Sequence, residues 1–125
     1  MKSITLMTKV GLEYGKLHEQ ILGLFKGYKI FEDEPKDGFG RIYLYKGDRA
    51  IDLEFSPKDV MSEFAHEFEP EQLQSFPFDA HLTSLDFKDR ADAALIVALL
   101  LAEHEELYIH DEDGSIVSAQ SWLSK

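Results

Sequence analysis

No cysteine occurs in the 125 residues, so disulfides, thiolate metal sites and cysteine nucleophiles are excluded. Proline is scarce, at four residues, and no Pro/Gly/Ser-rich tract or internal repeat divides the chain. A single domain over residues 1–125 is therefore expected, long enough to bury a core without staples. The chain also lacks the run of roughly 20 apolar residues that a bilayer span needs. Its start, MKSITLMTKV, alternates where a secretory signal has a solid apolar block. A cytoplasmic protein without a membrane partner is the expectation.

Positive charge is the most unevenly missing ingredient. The formal net charge is −11. Residues 1–62 balance ten acidic side chains with ten basic ones, whereas residues 63–125 hold fourteen acidic and only Lys88, Arg90 and Lys125. The whole excess lies in the second half. Such a field repels nucleic acid and anionic membranes and speeds encounter with a basic partner, although charge by itself also serves solubility.

Apolar residues make up 44% of the chain against 30% charged, which fits a globular domain rather than a disordered one. The organising stretch is residues 81–114, read as strand (HLTSLDF), helix (KDRADAALIVALLLAEHEE) and strand (LYIH) closed by Asp111-Glu112-Asp113-Gly114. Ala93 to Ala102 (AALIVALLLA) is apolar all round, which predicts a buried helix. Asp89 is placed to cap it, with Asp92 as an imperfect capping box.

Upstream, residues 4–10 read as a strand and residues 12–26 as an amphipathic helix stopped by Gly27. Strands follow at 28–34, 41–46 and 50–55. They are joined by Pro35-Lys36-Asp37-Gly38 and Gly47-Asp48, so an antiparallel meander is predicted. Alternation in AIDLEF sends Ile51, Leu53 and Phe55 to one face and Asp52 and Glu54 to a wet one. Ser56 and Pro57 then suggest a helix over 58–68, and Leu73, Phe76 and Phe78 in the next connection are expected on the main core. Residues 115–119 add a last short strand, and a terminal turn near Ser121 carries Trp122 and Leu123. The fold class is α+β (mixed α/β): an antiparallel meander plus a C-terminal β-α-β unit with a buried helix, helices on one side of the sheet. Periodicity leaves open whether meander and β-α-β unit share one sheet.

No catalytic motif emerges. Asp111-Glu112-Asp113-Gly114 fails as a calcium loop, because alignment on Gly114 puts Ile109 first and Gln120 twelfth; an Asp-Gly turn is the better account. The five histidines have no HExxH spacing, so no metal or other cofactor is expected, and His81 and His110 form the pair to inspect on neighbouring strands. Gly38-Phe39-Gly40 is too short for a phosphate loop and reads as a hairpin loop. Lys29, Lys36, Arg41, Lys46 and Arg49 interleave with Tyr28, Phe31, Tyr43 and Tyr45 as in single-strand RNA readers. The RNP-type motif is absent and the acidic half opposes it, so no nucleic-acid partner is expected.

What remains is a binding surface. Glu67, Glu69 and Glu71, with Glu103, Glu105 and Glu106 and with Asp111, Glu112 and Asp113, are expected to form one acidic patch. The last two groups are placed at the same end of the long helix. Tyr108 and Trp122 lie close in sequence and are candidate aromatic contacts, as interfaces favour. The pattern ALIVALLLAEHEELYIHDEDGSIVS (residues 94–118), with small size, acidity and no cysteine, resembles bacterial immunity proteins of polymorphic-toxin and contact-dependent growth inhibition systems. That resemblance implies stoichiometric binding of a cognate toxin with a basic, nuclease-type effector domain; it fixes neither fold nor oligomeric state. The alternatives are a general interaction or small-ligand-binding domain, or a small enzyme without a recognisable motif, which would show histidine and carboxylate converging in a pocket.

Overall fold

The computed structural model describes residues 1–32 and 39–125. Strand β1 (Lys2–Thr8) leads to helix α1 (Tyr14–Leu24), and β2 (Lys29–Glu32), β3 (Gly40–Lys46) and β4 (Arg49–Val60) follow. A 3-10 stretch (Met61–Glu67) and the short α2 (Pro70–Gln74) precede β5 (His81–Phe87), α3 (Arg90–Glu103), β6 (Tyr108–His110), β7 (Ile116–Ser118) and α4 (Ala119–Leu123). The predicted turn Pro35–Gly38, and the end of the predicted strand at 33–34, lie outside the described residues.

The seven strands form one sheet in the order β2-β3-β4-β5-β1-β6-β7, with every pairing antiparallel. Meander and β-α-β unit therefore share that sheet. β5 and β6 both run antiparallel to β1 and flank it, so they are parallel to each other and α3 crosses over β1 between them. Gly47, at φ +60°, makes the β3–β4 turn, and Gly27, at φ +89°, follows α1 as expected of a helix stop.

Successive residues of a strand face opposite ways, and Leu6 and Met7 accordingly belong to separate cores. Leu6, Ile42, Leu44, Ile51, Leu53 and Leu85 form the main one, beneath Leu17 and Ile21 of α1, Ile96, Val97 and Leu100 of α3, and Trp122 of α4. The three helices thus share one side of the sheet. On the other side, Met7 and Leu82 gather Met61, Phe68 and Ala80, with Leu73, Phe76 and Phe78 packed against them. Those last three side chains were expected on the main core. Register sends them to the opposite face, because the segment that carries them crosses over Met7 and Leu82 rather than over Leu6 and Leu85.

Two further expectations are corrected. The helix over 58–68 is instead the tail of β4 followed by the 3-10 stretch. Between Phe55↔Thr83 and Val60↔His81 the register slips, and Pro57, which cannot donate to a ladder, sits in that irregularity, where a strand tolerates proline. The second correction concerns α3, which is buried on only one stripe. Asp92, Ala93, Ile96, Val97 and Leu100 are covered, whereas Leu95 is 47% exposed and Ala98 and Ala102 face solvent. Ala and Leu there reflect helix propensity as much as burial. Asp89 does cap α3, accepting from Ala91 N–H at 2.9 Å, but Asp92 turns away from the cap to meet Tyr28 and Arg49. No helix among the described residues is long and apolar enough to cross a membrane.

Gly40 is the closest approach in the main core. A Cβ there would lie 2.6 Å from Phe55 Cζ and 2.8 Å from Tyr14 Cδ2. Gly40→Ala is expected to cost about 1–3 kcal/mol through overpacking, measured by urea unfolding; an unchanged midpoint would show that both rings move aside freely.

Candidate functional site

The sheet register decides which acidic residues can act together. Lys9, just beyond β1, pairs with Glu106 at 3.6 Å, while the Ser3 N–H, near the start of β1, donates to Glu112 at 3.2 Å. Six residues of strand at about 3.3 Å each put these points roughly 20 Å apart. Glu103–Glu106 and Asp111–Asp113 therefore occupy opposite ends of β6, and the single patch expected from the sequence is two patches. An antiparallel β6 carries the chain back along β1, a fact that helix periodicity does not encode.

At the first end, Glu103 accepts from Gln20 Nε2 at 2.6 Å and pairs with Lys16 at 3.4 Å, locking α3 to α1. The Gln20 hydrogen bond first, and then Lys16, hold its carboxyl below the ordinary range. It is a fixed anion rather than a proton donor. Glu105 is exposed and makes no ion pair among the described residues. A cleft of about 210 Å³ lies here between Leu12, Lys16, Gln20, Glu103 and His104. The loop at Gly11–Glu13 separates it from a second cleft of about 300 Å³, lined by Phe55, Pro57, His81 and Leu82.

At the second end, α2 meets the β6–β7 turn. Gln72 Nε2 donates to the Gly114 carbonyl at 2.9 Å, and the Phe68 and His110 rings lie 5.0 Å apart. Glu67, Glu69 and Glu71 are thereby brought beside Asp111, Glu112 and Asp113. Several of these carboxylates have local partners. Asp113 accepts from Ser115 Oγ at 2.6 Å and Ser115 N–H at 2.9 Å, bonds that lower its pKa. Together with Gly114 at φ +87° they make the predicted Asp-Gly turn. Asp111 pairs with Lys125 at 3.4 Å, and Glu69 shares a reciprocal capping box with Gln72 at the start of α2. Glu63 and Glu71 are exposed and make no ion pair among the described residues, and Glu67 has only His66 near it, at 4.0 Å. Like Glu105, these three have no lysine or arginine partner among the described residues.

The aromatic candidates divide. Tyr108 is half-buried with its ring edge-on to Phe76 at 5.2 Å; it pairs with Met7 and so stands on the Glu106 side of β6, on the face of the second core. Trp122 is 3% exposed and belongs to the main core, where α4 folds its ring under α3, so the indole is not part of the surface expected to carry the contacts. His81 and His110 do not sit on neighbouring strands, since β1 runs between them, opposite Thr8 and Thr5 respectively. Among the described residues no group of three His, Asp or Glu side chains is gathered as a metal would require.

Sequence reasoning missed an apolar floor on the face of the sheet that carries the second core. A depression of about 500 Å³ is lined by Met61, Ala65, Leu73, Phe76, Pro77 and Phe78, and a neighbouring one of about 310 Å³ by Gln72, Phe76, Tyr108 and Ile116. The signal was the density of aromatics and prolines among the glutamates of residues 63–78. Comparison of the chain with protein-family models, curated proteins and solved structures found no match.

Proposed function

We propose that the chain is an acidic binding protein of the immunity type, which neutralises a cognate toxin with a basic, nuclease-type effector domain by one-to-one binding. The observation that carries this reading is the trio of exposed carboxylates Glu63, Glu67 and Glu71, which have no lysine or arginine partner among the described residues, in the half of the chain that holds the whole net charge of −11. Unneutralised charge next to half-buried aromatics is what a fast, electrostatically steered association uses. The resemblance of residues 94–118 to immunity proteins supplies the nature of the partner.

The test is capture on the tagged protein from low-salt host lysate, elution along a salt gradient, and co-expression with whatever binds. A basic partner that associates one to one, and whose toxicity co-expression abolishes, is the expected result. A partner that is harmless alone, or no partner from cells that make a toxin encoded beside this gene, overturns the reading. In the complex, Glu63→Gln/Glu67→Gln/Glu71→Gln is expected to slow association by about tenfold at low salt and to flatten its salt dependence, read by stopped-flow with thermal stability as control. Unchanged kinetics would remove these three residues from the interface.

A further inference from the structure

We infer that the depression between the 3-10 stretch and α2 is the anchor site for this partner, taking an apolar or aromatic side chain flanked by lysine or arginine. This rests on the acidic-binder reading and adds to it a place and a side-chain chemistry. The floor is apolar: Leu73, Phe76 and Phe78 are half-buried on Met61 of the second core. Phe76 stands edge-on both to Phe78 at 5.8 Å and to Tyr108 at 5.2 Å, which holds its ring in place. Ala65, exposed, leaves room at the wall.

The rim supplies the charge complementarity. Glu63, Glu67 and Glu71 stand one or two residues from Ser62, Ala65 and Leu73, which line the depression, and are exposed. An apolar centre surrounded by a solvated charged rim is the general anatomy of a binding hot spot. The rings themselves accept cations: Lys9 Nζ lies 5.8 Å from the Phe78 centroid on the side facing Glu106. An acidic or neutral apolar segment would meet the same rim with repulsion or without steering, so the chemistry selects a basic one.

The probe is a capped hexapeptide of two lysines, leucine, tryptophan and two lysines, titrated into ¹⁵N-labelled protein. Amide shifts centred on Leu73, Phe76, Phe78 and Tyr108 are expected. Affinity should fall at least tenfold when alanines replace leucine and tryptophan, and again when glutamates replace the lysines. Ala65→Arg, at an exposed position that leaves the core alone, should abolish the shifts; Phe76→Ala serves as a second variant with its fold checked by circular dichroism. Shifts that ignore the apolar pair and centre on Glu103–Glu106 overturn the anchor site and leave the acidic-binder reading standing. No shift at the depression with any peptide also overturns it, whereas the reading itself falls only on failure to capture and neutralise a toxin.

Discussion

Asp92→Ala is expected to destabilise the fold by about 3 kcal/mol, a large loss for a domain of this size. The Asp92 carboxylate is 2% exposed and fully occupied. Tyr28 Oη donates to both of its oxygens at 3.0 and 3.1 Å, while Arg49 Nε and Nη2 reach them as a fork at 3.1 and 2.8 Å. Three elements meet there: the entry to β2, the first residue of β4 and the first turn of α3. Arg49 is half-exposed and also reaches Asp89 at 3.3 Å, so in the variant it turns to Asp89 or to water and the loss falls mainly on Tyr28 and the vacated space. Asp92→Asn keeps an acceptor for Tyr28 and is expected to lose about half as much. Thermal unfolding should show the alanine variant melting roughly 10 °C earlier; a change of only a degree or two would show the cluster to be energetically idle.

The same cluster predicts an alkaline limit. Burial, and then the Asp92 carboxylate, push the Tyr28 phenol above its ordinary 10.0. The folded state therefore prefers the protonated phenol, so this contribution is whole below pH 10 and is lost as pH rises through the raised value. Tyr28→Phe is expected to cost about 1–2 kcal/mol at neutral pH and to remove that part of the alkaline decline. Parallel profiles for the two proteins above pH 10 would assign the decline to other groups.

The sheet was legible wherever one face is buried and the other wet. Ile51, Leu53 and Phe55 alternate with Asp52 and Glu54, and one-residue slips would expose every apolar side chain, so β3, β4 and their turn follow from local pattern alone. The limits of β4 did not, because proline after serine signals a helix start as readily as it marks an unpaired strand position, and only the pairing of β4 with β5 decides between them. Asp92 reads as a helix-terminal charge; its partners are 43 and 64 residues away. The acidic patch failed for a related reason. Helix periodicity puts Glu103–Glu106 and Asp111–Asp113 close in sequence, but β6 carries the chain back past β1 and replaces Glu103–Glu106 with Glu67–Glu71 as the neighbour of the Asp-Gly turn. Long-range pairing, invisible to local pattern, governs both.

Trp122 carries the second large effect, and it separates a core role from an interface role. The indole is 3% exposed on α4, a helix of five residues that cannot stand alone. Ser118 caps that helix, accepting from Ser121 N–H at 3.2 Å, and Ala119 N–H donates to the Leu107 carbonyl at 3.0 Å. Arg90, in the first turn of α3, lays its guanidinium 4.1 Å from the indole centroid and donates to the Trp122 carbonyl, so one side chain stacks on the ring and satisfies the backbone beside it. Trp122→Ala deletes the ring that holds α4 under α3 and is expected to cost about 3–5 kcal/mol. Because this is the sole tryptophan, unfolding must be followed by far-ultraviolet circular dichroism. Trp122→Phe keeps an aromatic ring against Arg90 and should lose less, leaving a folded protein in which partner binding can be measured. Its affinity for a captured partner is expected to match the parent's. A tenfold loss of affinity in a fully folded Trp122→Phe protein would return this residue to the interface and show that α4 opens on binding.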